Sequence, residues 1–356
     1  MRKTRSGNSG RQMRSFDAAM AAYEAGLRER FGGSFRERDL QRKHARMRED
    51  AFLFLRGSCW RWAQAAPTLC PELMDAPAVG SVGDAHAGNF GLWRDAESRL
   101  VFGVNDFDEA CVAPYPLDLV RLCASLLTAG PLVTAEEVAE RALRGYLAGL
   151  QRPSPFVLEN DHLWLREAFA ASEDVREGFW RDLEASTPEI APEPYEGLLK
   201  AALPEIAAPT IVARSAGVGS LGRPRFVAFG RLRGGLFARE VKGRAPSCWG
   251  GQDLALPGRL ATGPWRSPDP FLVYGPEGVL RRLAPNSRKL KFGELRRRRT
   301  GRLLRAMAAD LAAIHAGEAG AADAVLQDLA TRPRGWLARA AQKVAVWTRK
   351  EFRAYA

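Results

Sequence analysis

Gly83-Asp84-Ala85-His86-Ala87-Gly88-Asn89, with Asn105-Asp106-Phe107-Asp108 one hairpin further on, is the stretch that decides how this chain is read. Moving a phosphoryl group needs a carboxylate that orients the attacking hydroxyl. It also needs oxygen ligands that hold magnesium against nucleotide phosphates, because the transition state spreads negative charge over the transferred oxygens. A kinase-type site meets this with an Asp, an Asn five residues later and a further Asp after a short hairpin. Asp84 and Asn89 have that spacing, and Leu100-Val101-Phe102-Gly103-Val104 reads as the strand that delivers Asp106. Asp84 is therefore the expected catalytic carboxylate, and Asn89, Asp106 and Asp108 the expected metal ligands. A lone Asp-x-His is more often a turn with a capping Asp; the combination favours chemistry. Glu109 is expected only to cap the turn that follows.

Working outward, Gly217-Val218-Gly219-Ser220-Leu221-Gly222 is a Gly-x-Gly-x-x-Gly loop, a spacing shared with dinucleotide-binding folds. A dinucleotide fold requires a helix directly after the loop. Here Pro224, Gly230, Gly234 and Gly235 interrupt the next stretch, and Phe226-Val227-Ala228-Phe229 favours a strand. A glycine loop between two strands covers phosphates with backbone N–H groups, and a later strand supplies a lysine to the α- and β-phosphates. Glu240-Val241-Lys242 closes such a strand. The expected nucleotide-binding residues are thus Gly217, Gly219, Ser220, Gly222 and Lys242, with ATP and Mg2+ as cofactors.

The order of these parts is inverted. In kinases the glycine loop and lysine precede the catalytic loop; here they follow it, which implies a circularly permuted chain, a rearrangement helped by termini that lie close together. The fold expected is α+β and protein-kinase-like: bilobal, permuted, with a mainly helical lobe and a small antiparallel β lobe. Residues 1–14 read as a flexible basic arm, 15–205 as the helical lobe, 206–295 as the β lobe and 296–356 as helices packing on the core. Within these, Phe16–Arg30 has helical spacing and Phe35–Gln64 reads as one or two helices ended by Pro67 and Pro71. Pro114 and Pro116 start a helix through Leu117-Asp118-Leu119, and helices resume at Phe292.

Arg48–Gly57, Gly83–Gly91, Asn105–Glu109, Pro116–Leu122 and Gly217–Gly222 with Val241-Lys242 together resemble the bacterial family catalogued as domain of unknown function 2252. The resemblance spans most of residues 44–320 and brings no activity with it. The loop itself, with His86 inside it, resembles that of aminoglycoside and choline kinases. That second resemblance implies that Asp118 supports the loop structurally. It implies a packed rather than catalytic His315 and an acceptor pocket in residues 130–205. It also implies a helix Glu paired with Lys242, which the Gly- and Pro-rich stretch after Lys242 does not supply; if permutation moved that helix to the N-terminal part, Glu49 is a candidate. Without that Glu, a nucleotide-binding pseudokinase or a nucleotidyl transferase stays open.

Bulk properties bound the alternatives. The net charge of +12 invites an acidic partner. However, Arg296-Arg297-Arg298-Arg299, with Arg302 and Arg305, has no aromatic platform beside it, so a solvated face is expected rather than a nucleic-acid interface. A metallophosphoesterase would draw on several histidines, and the chain has 4. The 5 cysteines form no CxxC pair, so neither a disulfide framework nor a zinc ribbon is indicated. The basic N-terminus lacks a following apolar run, and no stretch reaches the ~18 apolar residues of a membrane span. A cytoplasmic protein is expected, binding a nucleotide and a hydroxyl-bearing acceptor.

Overall fold

Ser15 accepts the amide of Ala18 and starts α1, Phe16–Phe31. The computed structural model describes residues 14–130, 134–206, 208–251, 253–289 and 297–356, the side chains of 297–299 excepted. The basic arm up to residue 13, the helix start expected at Phe292 and Arg296 lie outside the described residues. After α1 come α2, Glu37–Met47, α3, Ala51–Gly57, and α4, Cys59–Leu69. Three helices thus form where one or two were expected. The cause is Asp50, whose carboxylate accepts the Leu53 amide at 2.7 Å and caps a new helix. Pro67 does not end α4, because it sits in the last turn, where losing one i→i−4 bond is cheap.

Four strands follow: β1, Ala78–Ser81, β2, Phe90–Arg94, β3, Leu100–Val104, and β4, Cys111–Pro114. β1 pairs with β4, and β2 pairs with β3, all antiparallel. α5, Pro116–Thr128, is buried at every position, with Pro116 in the first turn where its missing N–H is harmless. Next come α6, Ala135–Gln151, the short β5, Phe156–Val157, which extends the β2–β3 sheet, then α7, Leu163–Phe169, α8, Glu173–Glu184, and α9, Tyr195–Ala201.

The main sheet contains β6, Thr210–Ala213, β7, Arg225–Leu232, β8, Gly235–Gly243, then, after α10 (Leu256–Ala261), β9, Val273–Tyr274, and β10, Gly278–Leu283. Its order is β6-β7-β8-β10-β9, with every neighbour antiparallel. The chain closes with α11, Arg297–His315, α12, Ala321–Thr331, and α13, Trp336–Tyr355. The large core joins α4 to α7 with α10 to α13 around the two small sheets. The main sheet is covered separately. α9 packs Tyr195 and Leu199 on Phe226, Ala228 and Val241; α8 packs Leu183 on the opposite face, against Val227, Phe229 and Ala238. The result is a mixed α+β architecture with small antiparallel sheets. Among the described residues no helix is long and apolar enough to cross a membrane.

Candidate functional site

The Gly83–Asn89 loop is held from below by α5 and α11. Asp118 accepts the amides of Val82 at 2.7 Å and Gly83 at 3.0 Å. Its Oδ2 also lies 3.1 Å from His315 Nε2, whose other nitrogen meets the Tyr146 hydroxyl at 2.7 Å. A buried chain of side chains therefore fixes the backbone on which Asp84 sits. Asp84 accepts from Arg121 Nε at 2.7 Å, and Arg121 also donates to the Leu55 carbonyl at 2.9 Å. His86 Nε2 stands 3.6 Å from Asp84 Oδ2, beyond hydrogen-bond reach, and its Nδ1 is buried without a partner. Burial, helped by Arg56 and Arg121, holds His86 well below its usual pKa, so it is neutral.

The Asn105–Asp108 turn is anchored one strand away. Asp310 on α11 accepts the Val104 amide at 2.7 Å and pairs with Arg266 at 2.7 Å. Asn89 joins loop and turn: its amide nitrogen donates to the Asp106 carbonyl at 2.9 Å and to the Asp84 carbonyl at 3.2 Å. That leaves Asn89 Oδ1 buried and unpaired, as is Asp108 Oδ1. Burial alone would raise the Asp106 pKa, yet Lys242 and Lys289 hold it well below the carboxylate range. Lys242 Nζ is 3.1 Å from both Asp106 oxygens and 2.7 Å from Asp108 Oδ2; Lys289 Nζ is 3.3 Å from Asp106.

Strand alternation explains why the sheet meets these acids with cations. In register across β7, β8 and β10 lie three rows on one face: Arg225–Lys242–Val279, Val227–Glu240–Arg281 and Phe229–Ala238–Leu283. The last row is apolar and covered by α8, as is Val227; the other residues of the first two rows open on a cleft of about 460 Å³, whose walls also include Asp106, Gly217 and Phe179. Glu240 is 1% exposed and held by three guanidinium groups: Arg214, Arg225 at 2.7 Å and Arg281 at 2.8 Å. Burial pushes its pKa up, but the arginines overrule that and keep it well below the usual range. Eight lining residues of the cleft are Arg or Lys against two acids, so the space suits an anion.

The glycine loop joins β6 to β7 as strand–loop–strand, with a short 3-10 turn at Val218–Ser220. No helix follows it, so the geometry is not that of a dinucleotide fold. Gly217, Gly219 and Ser220 line a recess of about 50 Å³ together with Asp84, Asn89, Asp106 and Asp108. Lys242 lines the adjoining cleft. The loop's last glycine, Gly222, lines neither space; it turns the chain against Phe35, 3.2 Å from where a Cβ would stand. Among the described residues no three His, Cys, Asp or Glu side chains form a metal-binding group. The orphaned oxygens of Asn89 and Asp108 do fit magnesium, which takes one or two carboxylates and fills its remaining positions with phosphate and water.

Two expectations are corrected. Glu109 does not cap a turn: it is buried, accepts from Arg223 at 3.1 Å and from the Cys248 amide at 2.7 Å. Its charge is neutralised in the interior because Arg223, also bound to Asp108 at 2.8 Å, reaches in from the end of the glycine loop. Glu49 is not a partner of Lys242; it is exposed and pairs with Arg46 at 3.3 Å, while Asp106 and Asp108 take the lysine. Sequence reasoning also missed Arg56, Arg121, Lys289 and the Glu240 cluster. Glu240 carried a readable signal, since it stands two residues before Lys242 on one strand and so shares its face.

Residues 36–174 match the family described as Uncharacterized protein conserved in bacteria (DUF2252). The match supports that bacterial family over less than half of the chain. It takes in the Gly83–Asn89 loop, the Asp106 turn and Arg121, and leaves out the glycine loop and Lys242. No curated protein and no solved structure matches the chain.

Proposed function

We propose that the protein is an ATP- and Mg2+-dependent phosphotransferase with a kinase-like site assembled in permuted chain order. The observation that carries this reading is the convergence of Lys242, from the third strand after β6 begins, on Asp106 and Asp108 beside a strand–glycine loop–strand unit. Asn89, Asp106 and Asp108 would hold Mg2+, which supplies positive charge to the phosphate oxygens as negative charge builds there. Gly217, Gly219 and Ser220 would cover the phosphates, and Lys242 and Lys289 would neutralise them. Asp84, its other oxygen pinned by Arg121, orients the acceptor hydroxyl. The acceptor oxygen forms a bond to the γ-phosphorus, the β–γ bridging P–O bond breaks, ADP leaves, and the hydroxyl proton passes to Asp84. The buried, neutral His86 takes no part in that proton transfer.

A nucleotidyl transferase is the second reading, favoured by one fact: Lys242 pairs with aspartates and not with a helix Glu. The two readings differ in product, ADP against pyrophosphate. The test is thermal unfolding with millimolar ATP and MgCl2, followed by product analysis with cell extract as acceptor source. Wild type should melt higher with nucleotide, and Asp106→Asn should lose the shift. Asp84→Asn should keep the shift and lose turnover by roughly 10²–10⁴-fold. No shift in wild type would sink both readings.

A further inference from the structure

The phosphotransferase reading leaves the acceptor without a site, and residues 130–205 contribute only Phe179 to the walls of the described cleft and recess. A groove of about 490 Å³ adjoins that cleft along the glycine loop, between α2 and the β6–β7 connection, with Arg46, Arg56, Ala216 and Gly217 on the shared wall. Arg42, Arg46 and Arg56 line it with Ser215 and Val218, and no acidic residue does. Arg42 and Arg46 stand one helical turn apart on the same face of α2. Arg46 pairs with Glu49 at 3.3 Å with both side chains exposed, a pair that is weak and easily exchanged. Arg42 has an exposed head that rests on the buried Asp39 at 3.3 Å and on Ser215 Oγ at 3.0 Å, which holds the guanidinium at the groove.

Arg56 is the unusual member. Among the described residues no hydrogen bond or ion pair reaches its guanidinium; Nε is buried and unpartnered, and the Phe52 ring lies 5.6 Å away. Burial lowers the Arg56 pKa, with the charges of Asp84 and Asp50 offsetting part of that, and a cation so placed without a hydrogen-bonded partner favours the arrival of an anion. Arg56 also lines the groove, the nucleotide cleft and the recess holding Asp84, so it stands where all three spaces meet.

We infer that this groove holds the acceptor, and that the acceptor is a hydroxyl compound carrying a phosphate group, gripped by Arg42, Arg46 and Arg56. The inference rests on the phosphotransferase reading. Three guanidinium forks from two helices match a tetrahedral anion with several acceptor oxygens better than a single carboxylate. Because Arg56 faces Asp84's recess as well as the groove, an anion anchored there keeps its hydroxyl end beside the orienting carboxylate.

The test is calorimetric titration of the full chain with inorganic phosphate at constant ionic strength, before and after saturation with a non-hydrolysable ATP analogue and MgCl2. The nucleotide-saturated protein should still bind phosphate at one site. Arg42→Gln and Arg56→Gln should each weaken that binding at least about 10-fold, with Arg42→Gln leaving nucleotide affinity within about twofold, since Arg42 lines the groove and not the cleft. Arg42 is exposed, so its variant stays informative if Arg56→Gln fails to fold. Phosphate binding that vanishes on nucleotide saturation, or that ignores Arg42, overturns the groove while leaving the phosphotransferase reading intact. Arg42-dependent phosphate binding in a protein that binds no nucleotide overturns the acceptor role together with that reading.

Discussion

The two glycine loops of the site reach similar backbone angles for different reasons. Gly83 has φ +76° and Gly217 has φ +75°. A Cβ on Gly83 would stand 2.0 Å from the Glu109 carbonyl oxygen, with Trp249 Nε1 at 2.9 Å. On Gly217 the nearest atom would be Ser220 Oγ at 3.2 Å, the end of a small side chain. The first loop is wedged against backbone in the large core and pinned by Asp118. The second has no backbone atom so close at Gly217, and side chains hold it on either side: Val218 packs with Met47, Leu53 and Phe54, and Ser220 Oγ accepts from Arg225 at 2.7 Å. One loop is a rigid mount for a carboxylate; the other leaves room beside Gly217 itself.

Substituting both glycines puts this contrast at risk most directly. Gly83→Ala should cost roughly 4 kcal/mol or more, since a backbone carbonyl cannot step aside as a side chain can. Gly217→Ala should cost less, the ~1–3 kcal/mol of a residue held in a sparsely populated backbone region, and leave the fold intact. Urea denaturation of the two variants decides it; equal losses would mean the loops are equally constrained.

The sheet side can be probed by its own anchor. Glu240→Ala leaves three arginines facing one another, and a cost of about 3 kcal/mol is expected, the low end for a broken buried pair because the cleft admits water. If that variant unfolds at the wild-type urea midpoint, the sheet does not depend on its ion cluster.

The smallest effect concerns Lys43, whose ammonium lies 3.5 Å from the Gly219 carbonyl beneath the glycine loop. Burial, with Arg223 adding to it, lowers its pKa to about 8. In the unfolded chain it titrates near ~10.4, so between these values the unfolded state binds more protons and the folded state gains stability as pH rises. Below about 8 the full penalty is present. Lys43→Met should therefore be more stable than wild type at neutral pH, with that advantage shrinking by roughly 2 kcal/mol toward pH ~9.5. A gap that does not change with pH would show that Lys43 binds its proton equally well in the folded and unfolded chain.

The contrast between the loops also tracks what could be read from sequence. Asp84, Asn89 and Asp106 sit in short contiguous stretches whose spacing carries their chemistry, and the strand before Asp106 lies at the residues expected, Leu100–Val104. The strands around the glycine loop were legible for the same reason. Lys289 was not, because it reaches Asp106 only when the chain beyond β10 returns to bridge Gly91 on β2. Arg56 was hidden within an apolar helix whose partners are distant in sequence, and Glu109 looked like a turn residue because Arg223 arrives from the end of the glycine loop, more than a hundred residues on. Local pattern reports what a residue can be; the tertiary fold decides which charges it meets.

The ion cluster on the sheet has a consequence for how the cleft responds to its surroundings. Arginine does not give up its proton in a protein, and Glu240 keeps its charge far into the acid range. The attraction felt by an incoming anion is therefore nearly constant across the pH range of a cell. Dissolved ions act on it differently, since screening at the open mouth weakens long-range attraction. Built from guanidinium groups instead of histidines, the cleft senses ionic strength, not acidity.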